Sequence, residues 1–122
     1  MSHDPSKDTA SPEVPLPGAA DQIAEQHPDL WLAFQSLGTQ VSRAGPLDAR
    51  ARRLVQLALA IASEAEGATH SHSRRALAEG FSAEELEHVA LLAITTVGWS
   101  RAMKGLNWVR DITRAGGVER SR

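Results

Sequence analysis

Apolar residues recur at helical spacing along most of this chain. Leu30, Trp31, Phe34, Leu37 and Val41 form one such series, and Leu54, Val55, Ala58, Leu59, Ile61 and Ala62 a second. Spacing of three and four residues predicts amphipathic helices. Residues 19–26 make a short helix ahead of them. A helix over 64–80 carries His72 on one face. Another over 83–97 buries Leu86, Val89, Ala90, Ala93, Ile94 and Val97, and a last one turns Ala102, Met103, Leu106, Val109 and Ile112 inward. No segment alternates as a strand would, so the fold class is all-α, a bundle of about five to six helices.

The breaks between the helices carry their own signals. Pro28 suits a first helical turn, where its missing N–H costs nothing. Gly45-Pro46 ends the second helix, and Asp48 can cap the third. Gly80 fits a left-handed C-cap. Ser82 with Glu85 three residues on forms a capping box for the next helix. Gly98-Trp99 breaks that helix, Ser100 can cap the last, and Gly116-Gly117 ends it. Two details conflict with isolated helices. Arg50, Arg52 and Arg53 crowd a helix N-terminus, where the macrodipole disfavours cations, so these arginines call for acidic partners. Leu91 and Leu92 make the 83–97 helix apolar over most of its surface, which points to a subunit contact.

Residues 1–18 are rich in Pro, Ser and Asp and read as a flexible arm. The alternative is an arm ordered against a neighbouring subunit through Val14 and Leu16. Residues 19–115 then form one helical domain, and 116–122 a charged tail. A chain of 122 residues, 42% hydrophobic, suits a single small core. The net charge of -2 gives no reason to expect nucleic acid or membrane as partners. The N-terminus lacks the apolar stretch of a secretory signal, which makes the cytoplasm the expected location. Zero cysteines exclude thiolate chemistry and cysteine-ligated metals, and no cofactor is called for.

His72 has three readings. It can be a general acid/base, oriented by a carboxylate such as Glu64. It can belong to a metal site with Glu66 and His70, which stand four residues apart on one face, although His70 and His72 point in roughly opposite directions. Or it is a satisfied polar residue in a packed interior. Arg74 and Arg75 can bind an anionic group, or simply form a solvated face. Trp31, Trp99 and Trp108 read as core or interface, and His27 and His88 have no local constellation.

Pro46-Leu47-Asp48, the run Leu54-Val55-Gln56-Leu57-Ala58-Leu59-Ala60, His72 followed by Arg75-Ala-Leu-Ala-Glu-Gly80, and Ser82-Ala-Glu-Glu-Leu86 together resemble the carboxymuconolactone decarboxylase family, which includes the AhpD-like alkylhydroperoxidases. The resemblance covers about residues 46–112. Its peroxidase branch carries Cys-x-x-Cys-x-x-x-His; on this chain those positions are Ala65, Ala68 and His72. A methyl group cannot attack a peroxide, so thiol peroxidase chemistry is lost. The branch's glutamate proton relay falls at or near Arg53, and is lost too. The resemblance implies trimers or hexamers. It also implies two functional expectations. One is a non-redox, ligand-binding or degenerate member. The other is a cysteine-independent, decarboxylase-like lyase using His72 as acid/base on a small carboxylated molecule held by Arg74 and Arg75.

Overall fold

The computed structural model describes residues 18–120, and side chains for 19–115. The expected arm at 1–18 therefore lies almost wholly outside the described residues. Seven helices run α1 (Gly18–Gln26), α2 (Pro28–Arg43), α3 (Ala49–Ala62), α4 (Glu66–Ala78), α5 (Ala83–Leu92), α6 (Ile94–Val97) and α7 (Trp99–Arg120). There is no strand among the described residues. The chain divides into two compact units that meet between Ala49 and Arg50, where the sequence reading takes 19–115 as one domain.

The first unit is the pair α1 and α2. His27 joins them: its N–H donates to the Ile23 carbonyl at 2.8 Å, and its carbonyl accepts from Trp31 N–H at 3.0 Å. Pro28 occupies the first turn of α2. The Trp31 and Phe34 rings lie 5.7 Å apart, tilted by 31°. Leu30, Phe34, Leu37 and Val41 stand more than half exposed.

The second unit holds the core. Leu57 and Ile61 from α3, Ala76 from α4, Phe81, then Leu86, Val89 and Ala90 from α5, and Leu106 and Val109 from α7 pack into one cluster. Helix α7 is the spine of this unit and packs against α4, α5 and α6. Gly105 lets α7 approach α3: a β-carbon there would run into the Ile61 side chain.

Two corners set the directions of α3, α4 and α5. After α4, Gly80 N–H donates to Leu77 O at 3.1 Å and Phe81 N–H to Ala76 O at 3.0 Å. Gly80 has φ 101°, the left-handed closure expected of it. The corner after α3 closes in the same way, with Glu64 N–H on Ile61 O at 3.0 Å and Ala65 N–H on Ala60 O at 3.0 Å. There the left-handed residue is Glu64, φ 57°. The histidine helix consequently begins at Glu66, with Ala65 as its N-cap, and not at residue 64 as the sequence suggests.

The Ser82 capping box forms in full, with Glu85 N–H to Ser82 Oγ at 3.0 Å and Ser82 N–H to Glu85 Oε1 at 2.9 Å. The expected 83–97 helix is interrupted at Ala93 and resumes as the four-residue α6. Gly98, φ 99°, turns the chain into α7. Its carbonyl accepts from Ala102 N–H at 3.1 Å, so the last helix starts one residue ahead of the expected Ser100 cap. That helix also continues through Gly116-Gly117 to Arg120.

Candidate functional site

The first half of α3 presents Arg50, Arg53 and Gln56 at three-residue spacing, which places them on one face. The end of α4 and the start of α5 present Glu79 and Glu85. Arg50 sits 4.0 Å over the Phe81 ring and reaches Glu85 Oε2 at 3.3 Å. Arg53 makes a two-pronged pair with Glu79: Nε donates to Oε1 at 2.9 Å and Nη2 to Oε2 at 2.8 Å. Arg50 and Arg53, two of the cations crowding the start of α3, thus have carboxylate partners that offset their unfavourable place on the macrodipole.

Arg53 also reaches His72. Its Nη1 lies 2.7 Å from His72 Nδ1, and 3.2 Å from Gln56 Oε1. A guanidinium has no acceptor, so Nδ1 must accept and the imidazole proton sits on Nε2. Burial is the main cause that pushes the His72 pKa down to about 4; the charges of Arg53 and then Arg75 push the same way, and Glu79 opposes them. At neutral pH His72 is uncharged, with its Nδ1 lone pair engaged by a cation.

Arg75 on α4 and Glu79 at its C-cap follow His72 by three and seven residues, the spacing of one helix face. Arg75 is held below the usual arginine range, first by burial and then by Arg53, with Glu79 opposing. The Nε atoms of Arg74 and Arg75 are buried without a hydrogen-bond partner. The Arg53 side chain is 12% exposed and that of Glu79 45%, so the pair lies at the edge of the packed region.

Other predicted residues sit elsewhere. Glu64 does not orient His72: its carboxylate pairs with Lys104 Nζ at 2.7 Å and Arg101 Nε at 2.9 Å. The hydrogen bond from Lys104 is the main cause that holds the Glu64 pKa low. The carboxylate near His72 is Glu79, which sequence reasoning treated only as part of a helix end. The seven-residue interval was the available signal. His70 Nε2 lies 2.9 Å from Asp111 Oδ2, tying α4 to α7. Among the described residues no group of three or more His, Asp or Glu could hold a metal ion, and none is assembled around Glu66 and His70. Ala68 is exposed in the first turn of α4, while Ala65 precedes that helix.

The profile of the carboxymuconolactone decarboxylase family matches residues 28–111. The chain belongs to this family. Within the family, a crystal structure of a candidate carboxymuconolactone decarboxylase from Burkholderia xenovorans LB400 is similar with a TM-score of 0.61. It is 22% identical, with 93% of this chain and 98% of that one covered. At that identity the likeness concerns the fold alone. An uncharacterized protein of Haemophilus influenzae is 33% identical over 55 residues, 45% of this chain. The match spans about half of that relative's length, 49%. No described helix is long and apolar enough to cross a membrane.

Proposed function

We propose that this protein is a non-redox member of its family that binds a small carboxylated molecule without turning it over. The observation that supports this most is the 2.7 Å contact between Arg53 Nη1 and His72 Nδ1. A general base needs a free lone pair, and a general acid needs a proton to give near neutral pH. His72 has neither, because a cation occupies Nδ1 and burial keeps the ring neutral. Lyase chemistry at His72 is therefore the weaker reading. The position that the family resemblance assigns to a proton relay holds a guanidinium here.

Binding is supported by the excess of positive charge. Arg53 and Arg74 both act on Arg75, and Glu79 opposes them. A carboxylated ligand would balance what Glu79 leaves uncompensated, and arginine forks suit carboxylates. Self-assembly into trimers or hexamers is part of the same reading, supported by the apolar side chains left uncovered on α2 and α3.

Calorimetry with citrate as the probe tests the binding reading. The expected result is a heat of binding that Arg75→Gln abolishes and a neutral sugar does not produce. No heat with citrate would overturn it. In parallel, peroxide reduction and carboxymuconolactone decarboxylation should stay at the buffer rate. Decarboxylation lost on His72→Ala would establish the lyase instead.

A further inference from the structure

The Arg53 guanidinium uses its two sides differently. Nη1 turns to partly buried partners, His72 Nδ1 at 2.7 Å and Gln56 Oε1 at 3.2 Å. Nε and Nη2 form a fork, which the two Glu79 oxygens fill at 2.9 and 2.8 Å. The arginine side chain is 12% exposed and the glutamate 45%, so the fork opens outward and Glu79 covers it. Arg74 and Arg75 cannot offer the same fork to solvent, because their Nε atoms are buried. The edge best shaped for an incoming carboxylate therefore already holds a carboxylate of the chain itself.

Glu79 is placed to leave. It is the C-cap of α4, just past the helix. Its N–H donates to the Arg75 and Ala76 carbonyls at 2.9 and 3.1 Å, so its backbone is held without help from the side chain. Among the described residues, Arg53 is the one hydrogen-bond partner of its carboxylate outside the backbone. Exchanging Glu79 for a ligand's carboxylate preserves the charge-assisted bonds on Arg53 and releases a side chain already nearly half exposed. The contacts to His72 and Gln56 stay in place. We propose that Glu79 is a built-in stand-in for the ligand's carboxylate, displaced from the Arg53 fork when the ligand binds.

The exchange sets specificity. A planar, two-oxygen anion reproduces both bonds of the fork, whereas a halide or an alcohol does not. A carboxylate attached to the chain also competes at a high effective concentration, so a ligand must bring something that Glu79 lacks. Additional negative charge is that something. Arg75 is held low by burial first, then by the charges of Arg53 and Arg74, with Glu79 alone against them. A ligand with more than one carboxylate fills the fork and compensates Arg75 together. Glu79 thus excludes single weak anions and yields to a polyanion. This inference rests on the binding reading, and adds where the carboxylate sits and what it must displace.

Carbon-13 NMR of protein labelled at its glutamate carboxyls tests the exchange, with the Glu79 signal assigned through its backbone amide. Saturating citrate should move that signal to the position of a solvated glutamate. In calorimetry, Glu79→Gln should bind citrate about tenfold tighter than the wild type, because the fork no longer has to be vacated. Glu84→Gln, which removes the same charge from the exposed first turn of α5, should leave the affinity nearly unchanged. Citrate binding with the Glu79 signal unmoved would overturn the displacement and leave the binding reading standing. So would equal gains in Glu79→Gln and Glu84→Gln, which net charge alone would produce. Heat from Glu79→Gln but none from the wild type would support the stand-in while overturning binding by the wild type. No heat from either would overturn both. If Glu79→Gln fails to fold, the wild-type NMR result decides alone.

Discussion

Arg53 and His72, nineteen residues apart, meet at 2.7 Å with a cation donating to the imidazole Nδ1. The contact fixes a tautomer, and that tautomer can be measured. Nitrogen-detected NMR should find His72 protonated on Nε2 and titrating at about 4. Arg53→Gln should move that midpoint upward, short of the ordinary histidine value of about 6.5 because burial is the larger cause. Glu79→Gln should move it further down, since Glu79 is the group that raises it. Identical titrations in all three proteins would show that Arg53 does not engage the ring.

The depressed pKa also sets a pH dependence of stability. The unfolded chain binds a proton on this histidine below about pH 6.5, while the folded chain refuses it until about pH 4. Stability from this group is therefore complete above pH 6.5 and falls as pH drops toward 4. Allowing for partial solvent screening, the loss is about 2 kcal/mol. Urea midpoints at pH 7 and pH 4.5 should show it. His72→Gln should flatten the difference by about that amount.

Close approach of α7 to α3 at Gly105 makes another prediction. A β-carbon there would strike the fully buried Ile61 side chain. Gly105→Ala should destabilise by about 1–3 kcal/mol through overpacking, even though alanine favours a helix by about 1 kcal/mol over glycine. The double change with Ile61→Ala should cost less than the sum of the two single changes. Additive values from chemical denaturation would mean that the two positions do not touch.

Glu64 closes a corner in the left-handed conformation that glycine adopts most easily. Both Glu64→Gly and Glu64→Ala delete the carboxylate that pairs with Lys104 and Arg101. Only the alanine keeps the backbone strain, so the glycine variant should have the higher melting temperature. Equal melting temperatures would show that the turn carries no such strain.

These cases separate what a sequence discloses from what it conceals. The Ser82–Glu85 box and the Gly80 closure were legible because each is written within a few residues and uses side chains suited to that geometry. The corner at Glu64 was not, since a glutamate in the left-handed region carries no sequence mark. The sequence therefore predicts a helix running through it and a carboxylate serving His72, whereas that carboxylate meets Lys104 and Arg101 instead. The break at Ala93 likewise has no local signal, whereas the one at Gly98 does. The crowded arginines disclosed that acidic partners exist. Which partners they are depended on how α3 lies against α4 and α5, a property of packing and not of any short segment.

The two corners have a dynamic consequence. Residues in turns usually exchange their amide hydrogens quickly. Here the Ala65 and Phe81 amides are each locked onto a carbonyl five residues back, and Phe81 is also buried in the core. The slowest turn amides of this protein should therefore mark α3, α4 and α5 as a unit that opens only when its corners open, so that the arginine face of α3 and His72 are exposed together or not at all.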